Sequence, residues 1–142
     1  MAFDAFLKLD GIPGESRDEQ YKDWIEVLSY SWGASNQAPS SLGGGAGAGK
    51  VVFQDFHFVA NFSKASPELF KACASGQHIK SGVLSVRKAG EKPLDFYKVR
   101  MTDVLVSSFQ DGGSGFDVPT EQISLNFTDV ALETPDQLPP KG

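Results

Sequence analysis

The sequence is poor in cysteine, in clustered positive charge and in long apolar runs. Cys73 is its only cysteine in 142 residues, so an internal disulfide is excluded. Its 13 Lys and Arg residues are scattered and are outnumbered by 18 Asp and Glu, whereas nucleic-acid binding requires grouped basic side chains. No apolar run approaches the ~20 residues that a membrane-spanning helix needs. We therefore expect neither nucleic-acid binding nor membrane insertion.

The first residues, MAFDAFLKLDG, do not have the pattern of a Sec signal peptide. Asp4 and Lys8 interrupt the apolar run, which in a signal peptide is uncharged. We expect a protein that is made in the cytoplasm and that, if it is exported, leaves by a route needing no Sec signal.

What the chain does contain is typical of one globular domain. Hydrophobic residues make up 40% of it, including 11 phenylalanines, and charged residues make up 22%, so intrinsic disorder is excluded. The length favours a single domain with a substantial core. We expect this domain to cover residues 1–134, with a flexible proline-rich tail over 135–142.

Strand-like alternation dominates the sequence. The segment DWIEVLSYSW, residues 23–32, is rich in β-branched and aromatic residues and lacks a helical stripe, so it predicts one long strand. Its two predicted faces are Ile25, Val27, Ser29 and Ser31, and Trp24, Glu26, Leu28, Tyr30 and Trp32. Two other strands have inward faces predicted by alternation: Ala5, Leu7 and Leu9 in the first, and Phe56, Phe58, Ala60 and Phe62 in the second.

One helix is predicted within KASPELFKACASG. Ser66 is expected to cap it, Pro67 to occupy its first position and Gly76 to end it. Its inward face is expected to carry two i, i+4 pairs, Leu69 with Cys73 and Phe70 with Ala74. Many strands, turns every ~8 to 12 residues and a single helix together predict a mainly β fold, either a sandwich or a closed barrel.

The stretch SSLGGGAGAGKVV, residues 40–52, has the G-x-x-x-x-G-K frame of a phosphate-binding loop. Such a loop needs Ser or Thr after its lysine and must open a helix. Here Lys50 is followed by Val51 and the start of a predicted strand. The frame therefore does not indicate nucleotide binding.

Residues 33–50 instead predict a long extended loop of Gly, Ala and Ser. Structureless loops of this length are uncommon in compact domains and are usually functional. Because small residues let backbones approach closely, we expect the loop to become ordered on a second protein surface. If that surface belongs to an identical subunit, the contact is heterologous and closes into a ring or grows into a filament.

Several motifs follow one another in order along residues 2–130: GIPGES, DWIEVLSYSWG, the Gly-rich loop ending in Lys50, QDFHF, KASPELFKACASGQHI, VLVSS and ISLNF. Together they resemble the Hcp family, the haemolysin-coregulated tube proteins of bacterial type VI secretion. The resemblance implies a closed β-barrel of two sheets with one short flanking helix and a long extended loop. It also implies a homo-hexameric ring that stacks into a tube inside a contractile sheath, is tipped by a spike protein and carries effector proteins in its lumen.

The resemblance also implies roles for particular residues. Ser31, Ser29 and Val27 are expected on the lumen wall, in contact with effectors. The subunit or ring interface is expected in the loop, at Ser41, Leu42, Gly43, Gly44, Gly45, Gly47, Gly49 and Lys50. The protein would be cytoplasmic before the system fires and secreted afterwards.

No pattern of catalytic, cofactor-binding or metal-ligating residues emerges. His57 and His78 have no second cysteine near them, and metal sites usually need three or four convergent ligands. Cys73 is expected to pack as a small apolar residue. Two alternatives remain open. One is a monomeric barrel that binds a small apolar ligand, with Trp24, Trp32 and the phenylalanines as its pocket walls. The other is an enzyme, which only the phosphate-loop frame supports.

Overall fold

The structure, a computed structural model, describes residues 3–37, 50–90 and 94–135. Seven strands and one helix lie in these ranges. In chain order they are β1 (Phe3–Leu9), β2 (Ile25–Val27), β3 (Ser29–Gln37), β4 (Lys50–Asn61), α1 (Ala65–Ser75), β5 (His78–Lys88), β6 (Asp95–Gly112) and β7 (Thr120–Glu133). The predicted mainly β fold with one helix is confirmed.

The described strands form one antiparallel sheet rather than the two that were expected. Their order is β2-β1-β5-β6-β7-β4-β3, and β6 pairs with β7 from Lys98↔Glu133 to Gly112↔Thr120. Because these two long strands stay paired through a bulge between Val106 and Ser108, the ladder bends without dividing. The two edge strands, β2 and β3, are separated in the chain by Leu28 alone, so the sheet must curl until its edges approach each other.

The core lies on the concave side of this curled sheet. The inward face of β1 is confirmed, and so are three positions of β4, because Phe56, Phe58 and Ala60 are at most 2% exposed. Phe62 was predicted to continue that face but is 54% exposed. It follows the end of β4, where its N–H donates to the carbonyl of Pro119 at 3.0 Å, so the alternation no longer applies.

The predicted single strand over residues 23–32 is two strands. β2 pairs with β1, and β3 pairs with β4. Between them the N–H of Leu28 donates to the carbonyl of Val59 on β4 at 2.8 Å. The inward positions therefore change parity at Leu28: Ile25 and Val27 are buried before it, and Tyr30 packs against the core after it.

Helix α1 begins earlier than predicted, and a different face of the helix points inward. Its preceding residue is Lys64, and Ser66 lies inside the first turn. Its buried positions are Ala65, Ser66, Leu69 and Ala72. The prediction that Phe70 faces inward is wrong, because that ring is 59% exposed. It packs edge-on against Phe109, with the ring centroids 5.5 Å apart. Gly76 ends the helix at φ 70°, as predicted.

The strands that flank the predicted loop pair with each other. Gln37 on β3 lies opposite Lys50 on β4, so residues 33–37, predicted as loop, belong to a strand. The expected strand after Lys50 is confirmed, since β4 begins at that residue. Residues 38–49 lie outside the described ranges.

Within the described ranges, α1 is too short and too polar to cross a membrane.

Candidate assembly and cargo surfaces

A row of small polar residues crosses four strands on the face opposite the core. Ser31 on β3 lies opposite His57 on β4, which lies opposite Ser124 on β7, which lies opposite Ser108 on β6. His57 Nδ1 and Ser124 Oγ are 2.6 Å apart. A parallel row consists of Ser29, Val59, Gln122 and Gln110.

The two rows line a shallow hollow of about 460 Å³. Its lining includes hydroxyls, amides and one imidazole, but no Asp, Glu, Lys or Arg. Such a surface offers short hydrogen-bonding groups without a carboxylate, ammonium or guanidinium charge. It suits contact with polar protein surfaces of varied charge.

The three residues predicted to share the lumen wall do not share a face. Ser29 and Ser31 are exposed and line the hollow. Val27 is buried in the core, with 8% of it exposed. It lies on β2, the edge strand at the other end of the sheet, where it pairs with Ala5 on β1. The parity change at Leu28 separates them. The sequence contains a signal for this change of parity. The inward apolar residues are the odd-numbered Ile25 and Val27 before Leu28, and they are at even-numbered positions after it.

The hollow also contains residues that sequence reasoning missed. His57 was considered only as a metal ligand, and Ser124 and the two glutamines were not singled out. Alternation within the segments QDFHF and ISLNF places His57 and Ser124 on the outward faces of their strands, but only the pairing between the strands brings the two residues together. In the segment Val104–Ser108, Val104 and Val106 are buried, and Ser107 Oγ donates to Asp55 Oδ2 at 2.6 Å.

A connecting segment, residues 10–24, covers the outer side of β1 and β5; we call it the strap. Arg87 on β5 attaches it by donating to both carboxylate oxygens of Asp18, from Nη1 to Oδ1 at 2.9 Å and from Nη2 to Oδ2. Its Nη2 also donates to Asp4 on β1 at 3.3 Å. The guanidinium also lies over the rings of Phe6 and Tyr21, at 5.0 and 5.5 Å from their centroids. The hydrogen bonds from Arg87 lower the pKa of Asp18. Phe6, predicted to face outward, is buried under this segment.

A buried carboxyl group lies beneath the start of α1. Glu121 on β7 is 1% exposed and accepts a hydrogen bond at Oε1 from Ser66 Oγ, at 2.7 Å. Its Oε2 has no hydrogen-bond partner among the described residues. Burial raises the pKa of Glu121, and the charge of Asp111 on the neighbouring strand adds to the effect.

The second histidine forms an exposed pair. His78 Nδ1 lies 2.8 Å from Asp103 Oδ1, and Thr128 Oγ1 donates to Asp103 Oδ2 at 2.9 Å. The bond with His78 lowers the pKa of Asp103. Asp103 has φ 55°, and these two bonds hold it in that left-handed conformation. In the described ranges no three His, Cys, Asp or Glu residues converge to hold a metal ion.

The two tryptophans lie in different places. Trp24 packs edge-on against Tyr21 with their centroids 4.8 Å apart. Trp32 is partly buried against the core. Trp24 lines a small hollow whose lining does not include Trp32, so the two rings together give the small-ligand alternative no support. Cys73 is a free, partly buried thiol that packs against the core. This agrees with its predicted role as a small packing residue.

The described surface carries many large apolar side chains. Among those at least half exposed are Leu28, Phe53, Phe62, Phe70, Leu94, Phe116, Val118 and Leu132. Scattered apolar residues are normal on a surface, but this number of exposed phenylalanines is typical of a protein that buries them against partners. Most of the predicted interface residues, from Ser41 to Gly49, lie outside the described ranges. Lys50 is exposed at the start of β4.

Comparison with known proteins decides the family. The family model described as "Type VI secretion system effector, Hcp" matches residues 6–133. Protein hcp1 of Pseudomonas aeruginosa is 42% identical over 135 residues, which cover 94% of this chain and 83% of that protein. The chain belongs to the Hcp family of type VI secretion tube proteins.

Solved Hcp structures agree with this assignment. The crystal structure of Hcp1 from Salmonella typhimurium matches with a TM-score of 0.80 and 38% identity, covering 94% of this chain and 88% of that one. A type VI secretion system effector from Yersinia pestis matches with a TM-score of 0.79 and 34% identity, covering 92% and 89%. Hcp proteins are structural, secreted and form ring assemblies.

Proposed function

We propose that this Hcp protein assembles into homo-hexameric rings that stack into the inner tube of a type VI secretion system. The observation that carries the proposal is the family match over residues 6–133, and the exposed apolar surface supports it. The spike protein, the contractile sheath and effector proteins are the partners that the family implies. The protein acts without catalysis or a cofactor, reaching the target cell or the medium by the type VI route.

In this proposal the curled sheet closes into a barrel at Leu28. Support comes from the short connection between the two edge strands and from the Leu28 to Val59 hydrogen bond. The barrel domain covers residues 1–134, and residues 135–142 form a flexible tail.

The polar hollow faces the lumen and contacts effectors. Ser29 and Ser31 remain in this role because they are exposed and line the hollow. Val27 is withdrawn from it because it is buried in the core. The loop residues Ser41 to Gly49, with Lys50, contact a neighbouring subunit or ring, and the pairing of Gln37 with Lys50 at the loop's base supports this role.

Size-exclusion chromatography with light scattering tests the ring. A hexamer of the 15.3 kDa chain has a mass of about 90 kDa, and negative-stain images would show rings with an open centre. A stable interface of this kind buries about 800 Å² on each partner. A mass of one chain at every concentration would reject the proposal.

Substitution in the hollow tests the cargo surface. Ser31→Glu places a charged, longer side chain in the row beside His57, and we expect effector retention to fall while the rings persist. Ser35→Glu is the matched control, because Ser35 is exposed on the same strand but does not line the hollow. If Ser31→Glu breaks the rings, position 31 belongs to an interface rather than the lumen.

A further inference from the structure

The hairpin loop between β6 and β7 presents an isolated phenylalanine; we call residues 113–119 the knob. Phe116 is 96% exposed, the largest value among the exposed large apolar residues of the described ranges, and Val118 is 59% exposed. Ser114 orders the loop, because its Oγ accepts from the N–H of Phe116 at 3.3 Å and its carbonyl accepts from the N–H of Asp117 at 3.4 Å. A loop that already holds its aromatic ring outward loses little entropy when the ring is bound.

A small apolar hollow lies where the strap leaves β1 and enters β2; we call it the socket. Its volume is about 330 Å³, at the lower end of ligand-sized pockets. Its lining consists of Leu9, Ile12, Pro13 and Trp24, with Gly11, Lys8, Lys22 and Asp23. Leu9 and Ile12 are nearly buried, so the floor of the socket is apolar and its rim is charged.

The charges at the two surfaces are complementary. Lys8 and Lys22 are exposed at the socket, and the ion pairs formed by the described residues include neither of them. Asp117 follows Phe116 on the knob, is exposed and is equally absent from those pairs. An aromatic anchor with a neighbouring carboxylate therefore matches an apolar hollow with a neighbouring ammonium group.

We propose that Phe116 of one copy inserts into the socket of a neighbouring copy, with Asp117 paired to Lys22 on the rim. The inference rests on the self-assembly proposed above and names one of its contacts. Knob and socket lie on different strand pairs, β6–β7 and β1–β2, so each copy carries both halves of the contact, and we place them in a heterologous interface. Heterologous contacts are the kind that close into rings or extend into filaments.

Variants of the full chain test the contact. Phe116→Ser removes the anchor, and we expect the dissociation constant of the assembly to rise about tenfold or more. Lys22→Asp and Asp117→Lys are each expected to weaken assembly, and the double variant to restore it. Lys71→Glu changes an exposed charge on α1 and is the matched control, with no effect expected. Circular dichroism checks that each variant is folded.

Cross-linking tests the proximity directly. In a Cys73→Ser background, chains carrying Asp117→Cys are mixed with chains carrying Lys22→Cys and treated with a short bismaleimide. We expect an intermolecular dimer, and none when Lys71→Cys replaces Lys22→Cys. Equal cross-linking to both positions would overturn the inference.

The outcomes separate the two proposals. Rings of unchanged mass and stability in Phe116→Ser, with no cross-link to position 22, would overturn the knob contact and leave the ring proposal standing. The same pattern would result if Phe116 bound a different protein instead. A native chain that is monomeric throughout would reject the ring and the contact together.

Discussion

At the scale of single residues, the most consequential feature is the buried carboxyl of Glu121. Burial raises the pKa of Glu121, so the folded chain holds this proton more tightly than the unfolded chain does. Protonated Glu121 contributes its full stabilisation at pH values below the pKa that it has in the unfolded chain. This stabilisation is lost as the pH rises through the higher pKa of Glu121 in the folded chain. A buried, ionised Glu121 facing the charge of Asp111 therefore destabilises the fold once the pH exceeds its folded pKa.

Glu121→Gln removes this charge and keeps an oxygen that accepts from Ser66. We expect the free energy of unfolding to rise by about 1 kcal/mol at pH 8 and to change little at pH 4, as measured by urea unfolding at both values. Glu19→Gln, at an exposed position, is the control and should change neither. A variant that keeps the pH dependence of the native chain would show that Glu121 is not its source.

Arg87 is the second residue with a large expected effect. Arg87→Met leaves Asp18 on the strap without its main partner. Because this ion pair is only partly buried, we expect the free energy of unfolding at pH 7 to fall by about 1–2 kcal/mol. Because the pKa of Asp18 is lowered, its contribution is present above the unfolded pKa and is lost as the pH falls through the folded one. Denaturant unfolding at pH 7 and pH 3 measures the difference in free energy of unfolding between the native chain and Arg87→Met. This difference should be smaller at pH 3.

Arg87→Lys separates charge from geometry at the same position. Lysine keeps the positive charge but cannot donate to both oxygens of Asp18 or stack on Phe6 as a planar group. We expect the free energy of unfolding of Arg87→Lys to lie between those of the native chain and Arg87→Met. Equal stability of Arg87→Lys and the native chain would show that charge alone attaches the strap.

At the scale of elements, the strap determines where β2 begins. The N–H of Gly14 donates to the carbonyl of Asp23 at 2.7 Å, and that of Ser16 donates to the carbonyl of Trp24 at 3.0 Å. A Cβ at position 14 would lie 2.5 Å from the carbonyl oxygen of Trp24 and 2.6 Å from the backbone of Ile25. No side chain fits there without moving the strap away from β2.

Gly14→Ala is therefore expected to destabilise the chain by about 2 kcal/mol or more. Hydrogen exchange should show the loss first in residues 14–27. Gly112→Ala is the control, because its Cβ would meet nothing within 4 Å, and it should be nearly neutral. Normal protection of β2 in Gly14→Ala would contradict the proposed role of the strap.

At the scale of the whole molecule, the proposed assembly predicts that association and stability are coupled. Subunits that bury exposed phenylalanines against one another are stabilised by mass action. We expect the thermal midpoint of the native chain to rise with protein concentration, as measured by scanning calorimetry over a hundredfold range. A midpoint independent of concentration would indicate that folding does not depend on assembly under those conditions.

Local pattern was sufficient for much of the fold. Alternation predicted the inward faces of β1 and most of β4, and Gly76 predicted the end of α1. These features depend on a few neighbouring residues and on backbone preferences that act within one element. The motifs in their order were also sufficient for the family, because the match extends over residues 6–133.

Features that depend on pairing between distant strands did not follow from pattern. Leu28 turns one apparent strand into two because its N–H binds β4 while Ile25 and Val27 pair with β1. The same register places His57, Ser108 and Ser124 beside Ser31, and the strap buries Phe6 and Arg87. Periodicity reports which way a side chain points along its own strand, whereas the neighbour that it meets depends on how the whole sheet curls.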